Sequence, residues 1–287
     1  MPTSSYVLLN GLRFHYLNWG GAGRPVVLLH GLASNARIWD FVAPRLAQAG
    51  LRVLALDQRS HGLSDPAPDG FDFATITRDL HAFLETLDLA RPILVGHSWG
   101  ASTVLSYAAA RPAGPAGIVM VDGGLFALSE VDGMTWAKAE ALLRPPDIDG
   151  LPAEDFLARV RRMLGGIYTD EIGAILLANF RLDEDESIYR RLPIPQHMQV
   201  AHAIYTKPTF DLFARVRGPV LVCPAAEPPR DARAEQFLAL KRAGAARLAA
   251  HPNVTVRWFE DSIHDLPLQR PDALAETLLA WAAALGD

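Results

Sequence analysis

Apolar and polar residues alternate over Tyr6–Leu9 and again over Leu12–Trp19, on either side of Asn10-Gly11. A period of two marks half-buried strands, and Asn-Gly tolerates the left-handed backbone of a tight turn, so the chain opens on a β-hairpin. Four short, predominantly apolar runs follow: Val26–Leu29, Leu51–Leu56, Ile93–Val95 and Ile118–Val121. Runs without alternation suit strands covered on both faces, as in a parallel sheet. Between them the spacing turns helical. One helix is predicted over about Ile38–Ala49, with Gly50 as its stop. A second spans Thr75–Leu87, where Ile76, Leu80, Phe83, Leu84 and Leu87 share a face, and a third spans Ala101–Ala110. Strands alternating with helices predict an α/β fold with a mostly parallel, doubly covered sheet.

The rhythm breaks after Asp122-Gly123-Gly124. From residue 125 to 210 the spacing predicts amphipathic helices and no buried strand, punctuated by Pro145-Pro146, Gly150, Gly165-Gly166, Pro193 and Pro195. Arg161-Arg162 and Arg190-Arg191 read as solvated faces within it. The alternation resumes with a strand at Pro219–Cys223, a helix at about Asp231–Ala250, a strand at Val254–Phe259 and a helix at Pro271–Leu285. The expected organisation is a core of residues 1–124 and 211–287, interrupted by a helical cap over 125–210.

Half of the 287 residues are hydrophobic and 21% are charged, enough to bury a large core and unlike a disordered or coiled-coil chain. A net charge of -5 gives no electrostatic case for nucleic acid or an anionic membrane, and no apolar run reaches the length of a membrane span. With no basic stretch leading into an apolar one near Met1, the expectation is a cytoplasmic monomer or small homo-oligomer acting on a small molecule. The lone Cys223 excludes an internal disulfide and a cysteine metal cluster. His197 and His202, five apart, share a helix face poorly and have no evident third ligand, so no metal is expected. Of 27 basic residues only Lys138, Lys207 and Lys241 are lysines, a bias typical of a GC-rich bacterial genome.

The most informative stretch is Ile93-Leu94-Val95-Gly96-His97-Ser98-Trp99-Gly100. It places Gly-x-Ser-x-Gly between a strand and a helix. A serine on that turn adopts a strained backbone that pushes its hydroxyl outward, and its neighbours two residues away must be glycine to let strand and helix approach. The helix start brings free N–H groups beside the hydroxyl. A nucleophilic serine needs a base. His264 lies in a loop after the last predicted strand, at the carboxyl edge of the sheet where ligands of open α/β folds bind.

With these pieces the chain resembles the α/β-hydrolase superfamily. His30-Gly31-Leu32-Ala33, Asp57-Gln58-Arg59-Ser60-His61-Gly62-Leu63-Ser64, the Ser98 turn and His264 match in order, with Ser60 where the family usually has glycine. The likeness is greatest to capped, esterase-like members. It implies a serine hydrolase of a carboxylic ester or similar acyl compound, with Ser98 as nucleophile, His264 as base and no cofactor. The oxyanion would be held by the backbone N–H groups of Leu32 and Trp99, with His30 and Gly31 shaping that loop beside the substrate. The family order of serine, acid, histidine points to Pro224–Asp231, where Glu227 fits best; Asp231 and Asp122 are rivals, and Asp231 also suits a helix cap. Trp136, Tyr168 and Tyr205 in the cap, and Leu266 beside the base, are candidate substrate contacts. Carbon–carbon hydrolysis, lactone hydrolysis and perhydrolysis run on the same triad, and a non-catalytic receptor on a retained scaffold is the alternative of another class.

Overall fold

The opening hairpin forms, with β1 (Thr3–Leu9) antiparallel to β2 (Leu12–Gly20) and Leu9 opposite Leu12. Asn10 (φ 49°) and Gly11 (φ 83°) both take the left-handed backbone that the two-residue turn requires. The structure, a computed structural model, describes residues 1–286. The apolar runs become β3 (Pro25–Leu29), β4 (Arg52–Leu56), β5 (Ile93–His97) and β6 (Gly117–Val121). Adjacent residues of one strand enter different cores. Val26 and Leu28 pack in one cluster with Trp39, Val95 and Leu274, whereas Val27 and Leu29 pack in another with Phe83, Leu94 and Leu105. Burial on both faces explains the absence of alternation.

The connecting helices are α1 (Ala43–Gln48), α2 (Phe73–Thr86) and α3 (Trp99–Ala110). The expected helix over Ile38–Ala49 is in fact broken. A 3-10 turn at Ala36–Trp39, capped by Asn35, precedes α1. Pro44 sits in the first turn of α1, where its missing N–H is tolerated, and would clash inside a longer helix.

Between β6 and the returning core strand lie α4 (Trp136–Leu143), β7 (Leu151–Pro152), α5 (Ala153–Leu164), α6 (Asp170–Leu177), β8 (Phe180–Leu182), β9 (Ser187–Arg190), α7 (Ile194–Thr206) and α8 (Thr209–Phe213). The expectation of helices alone is therefore corrected: β7, β9 and β8 form a small three-stranded sheet. These strands are two to four residues long, too short to register as periodicity. Nor is Arg190 on a solvated face. Its side chain is 10% exposed, lies within 4 Å of Asp147 and Asp149, and donates to the Pro146 carbonyl.

The core closes with β10 (Val220–Cys223), β11 (Ala225–Ala226), α9 (Ala232–Ala249), β12 (Val254–Val256), β13 (Phe259–Glu260), α10 (Leu266–Gln269) and α11 (Pro271–Ala284). The main sheet runs β1-β2-β4-β3-β5-β6-β10-β12, parallel from β4 onward. The single strand expected at Val254–Phe259 splits, because Phe259 leaves the main sheet to pair with Ala225. The fold is α/β with a mostly parallel sheet covered on both faces. Parallel strands carry their C-terminal ends to one edge, and the loops after β3, β5, β6 and β13 meet there. Among the described residues no helix is long and apolar enough to cross a membrane.

Candidate active site

Ser98 follows β5 and precedes α3 at φ 53°, a left-handed backbone that serine adopts only under constraint. The constraint is visible in the flanking glycines. A Cβ on Gly96 would lie 2.1 Å from the Gly100 carbonyl, and one on Gly100 would lie 2.4 Å from the Leu29 carbonyl oxygen. The Ser98 N–H donates to the Val121 carbonyl at 2.9 Å, tying the turn to the end of β6. Its hydroxyl does not cap α3 and is left free. A Cβ on Gly31 would sit 3.6 Å from Ser98 Oγ, so the loop after β3 passes directly beside the hydroxyl.

That loop carries Leu32, and three histidines shape its surroundings. His30 is fully buried; Nδ1 donates to the Gly31 carbonyl (2.7 Å) and Nε2 accepts from the Gln58 N–H (3.0 Å). His61 donates from Nδ1 to the Arg59 carbonyl and accepts the Ala33 N–H at Nε2 (3.1 Å). Burial, reinforced by the neighbouring His30, pushes His61 down to about 3, so it stays neutral and keeps this tautomer. Asp57, also buried, accepts from Ala36 N–H (2.6 Å), Leu63 N–H (2.9 Å) and His15 Nδ1 (2.7 Å). The Asp57–Ser64 segment is thus a brace that sets the β3 loop. Ser60 takes φ 61°, a backbone that favours glycine, and its hydroxyl accepts the Ala67 N–H. Among the described residues the N–H groups of Leu32 and Trp99 donate to no other backbone group.

His264 stands at the same edge. Its Nδ1 is 2.6 Å from Asp122 Oδ2. Asp122 follows β6 at φ 43° and turns its carboxylate back, accepting the Ala225 N–H on Oδ1 (2.8 Å). Lys241 from α9 reaches the same oxygen at 2.6 Å and also donates to the Ala225 carbonyl. Burial alone would raise the Asp122 carboxyl; the His264 and Lys241 contacts reverse this and hold it at about 2. Burial likewise works against a charged His264, but the bond to Asp122 and its charge prevail, and the histidine lies above its ordinary value. The His264 side chain remains 53% exposed.

The structure brings a different carboxylate to His264 from the one expected. Of the three carboxylates considered, Asp122 meets His264; Glu227 does not. Pairing of Ala225 with Phe259 draws the β10 loop onto a separate ladder, and Glu227 beyond it is 41% exposed and ion-paired with Arg230. Asp231 caps α9, accepting the Ala234 N–H at 2.8 Å. His97 donates from Nε2 to the His264 carbonyl at 2.9 Å, tying the His264 loop to the end of β5.

Other expected contacts are also revised. His30 and Leu266 have no exposed surface and cannot touch a ligand directly. Tyr168 packs beneath the Arg161 guanidinium and against Gly173, inside the insertion. Trp136 stacks with His202 and Tyr205, and it lines a cavity of about 740 Å³ between α7 and the core with Phe71, Phe73 and Met198. Neither Ser98 nor His264 lines that cavity. His197 bonds the Leu143 carbonyl, apart from the His202 cluster. Sequence reasoning missed Lys241; the sequence hinted at it only through the rarity of lysine, three among 27 basic residues.

The profile of the Alpha/beta hydrolase family matches residues 26–277. A non-heme chloroperoxidase of Kitasatospora aureofaciens is 41% identical over 98 residues, 34% of this chain and 35% of that protein. An N-formylmaleamate deformylase of Pseudomonas putida is 40% identical over 118 residues, 40% of this chain and 43% of that protein. The matched stretches thus span less than half of these relatives. The solved structure of E-2-(acetamidomethylene)succinate hydrolase is similar in fold, with TM-score 0.77 at 19% identity, covering 99% of this chain and 100% of that one.

Proposed function

The chain belongs to the alpha/beta hydrolase family, and from that premise we propose that it is a serine hydrolase of a small or medium carboxylic ester or similar acyl compound. The observation that carries the reading is Ser98 at φ 53° on a glycine-flanked turn, at the same sheet edge as a histidine 2.6 Å from a buried aspartate. Ser98 Oγ attacks the acyl carbon while His264 Nε2 takes its proton. The N–H groups of Leu32 and Trp99 hold the oxyanion, which forms beside the helix start. Collapse breaks the bond to the leaving group, and His264 returns the proton to it. Water, deprotonated by His264, then attacks the acyl-enzyme, releasing the acid and restoring Ser98. Asp122 orients His264 and stabilises the transient imidazolium.

Epoxide opening and dehalogenation in this fold use an aspartate nucleophile, which the serine disfavours. Lactones, carbon–carbon bonds next to a carbonyl, and peroxide in place of water remain reachable from the same acyl-enzyme. A fluorophosphonate probe should label Ser98, a short-chain aryl ester should be turned over, and Ser98→Ala should abolish both with the fold intact by circular dichroism. Failure of the unaltered protein in both assays would favour a ligand receptor on a retained scaffold.

A further inference from the structure

The acid of the site is not shared by the histidine alone. Asp122 Oδ2 faces His264 Nδ1 at 2.6 Å, while Oδ1 faces Lys241 Nζ at 2.6 Å and the Ala225 N–H at 2.8 Å. Lys241 is 8% exposed, and its second contact is the Ala225 carbonyl, the same residue whose N–H meets Asp122. The lysine thus closes a ring through the carboxylate and the backbone of one residue of β11. An arginine is the usual cation of this chain, yet a lysine stands here. A compact ammonium can meet one carboxylate oxygen end-on and leave the other free, whereas a planar guanidinium prefers both.

We propose that Lys241 is a positioning residue for the reaction proposed above: by holding Oδ1 it fixes which oxygen meets His264, and its charge limits how strongly Asp122 draws a proton onto the ring. It touches no substrate and acts only through Asp122. The charged groups facing His264 are few. Asp122 comes from the end of β6 and Lys241 from α9, Asp265 is its chain neighbour, and His97 from β5 packs ring to ring at 4.7 Å. Asp265 and Asp122 favour the imidazolium, and Lys241 opposes it. His97 stays neutral, pushed down to about 4 by burial and the neighbouring His264. The nearby pairs Arg242–Glu260 and Glu227–Arg230 satisfy each other at the surface. Lys241 is therefore the one cation among these groups that opposes the proton on the base.

The test is the titration of His264 in the full chain carrying Lys241→Met, which keeps most of the volume and removes the charge, and Lys241→Gln, which retains an N–H donor for the Ala225 carbonyl. The acidic limb of kcat/KM on an aryl ester should move up by about one pH unit in both, and the His264 ring protons followed by NMR should move with it. Lys241→Arg should leave the limb in place while lowering kcat. A purely structural lysine would lower activity at every pH with no movement of the limb, and that result in any folded charge-removing variant overturns the proposal. Should neither neutral variant fold, Lys241→Gln in the Asp122→Asn background, where no carboxylate needs the counter-charge, supplies the reading: His264 must titrate higher by NMR than in Asp122→Asn alone, and an equal value overturns the proposal. The NMR readout needs no turnover, so an inactive parent chain would sink the hydrolase reading while leaving this inference decided on its own.

Discussion

Asp122 illustrates how much one backbone angle decides. At φ 43° it occupies a conformation that aspartate tolerates because its short side chain bonds locally, here to the Ala225 N–H. That bend aims the carboxylate across the sheet edge at His264. Replacing Asp122 by Asn should lower turnover by roughly three to four orders of magnitude, because the amide cannot hold the imidazole in its working tautomer. Glu227→Gln should leave turnover within about twofold, since that side chain only meets Arg230 at the surface. Steady-state assays on the two purified variants check the pair; equal losses would remove Asp122 from its role. The pH profile follows from His264. In the proposed reaction the base acts neutral, and Asp122 holds the His264 proton more tightly than in an ordinary histidine of 6.5. Activity should therefore fall as pH drops through a value above 6.5, and a limb below it would contradict the Asp122 contact.

At the scale of elements, the strand–turn–helix unit from β5 to α3 is the part read most completely from local sequence. Its requirements are short-range: an apolar strand, glycines two residues either side of Ser98, and a helix start. Gly96→Ala should destabilise the fold by about 3 kcal/mol or more, because the new Cβ would meet the Gly100 backbone at 2.1 Å and neither strand nor helix can yield without moving the other. Urea unfolding measures this, and a loss below about 1 kcal/mol would show that the turn is less tightly packed than described. Elements whose form depends on distant partners were read less well. The helix expected at Ile38–Ala49 broke at Pro44, and Phe259 was taken from its strand by Ala225, which lies 34 positions earlier. The short sheet of the insertion consists of pairings that no window of periodicity reveals.

The whole molecule holds a second buried cation. Lys207, on the segment returning from the insertion, is 3% exposed and donates to Ser102 Oγ on α3 at 2.7 Å, one turn beyond Ser98. Burial lowers its ammonium from 10.5 to about 7. The unfolded chain then binds more protons than the native one between pH 7 and 10.5, so this residue makes stability rise with pH across that window, by at most about 1.4 kcal/mol per pH unit. Lys207→Met should flatten that part of the stability curve relative to the parent, measured as melting temperature against pH. Parallel curves would mean that the amine keeps its ordinary proton affinity.

Sequence alone determined the mostly parallel sheet, its two-sided burial and the local shape of the Ser98 turn. Each of these is written in nearest-neighbour preferences, in a period of two or three and a half, or in glycines that a tight bend demands. Tertiary structure alone decided which carboxylate serves His264, that Lys241 shares it, and that His30, His61 and His97 act as braces. Those outcomes join residues far apart in the chain, and a burial energy or a hydrogen bond between such partners leaves no trace until the strands have set them side by side.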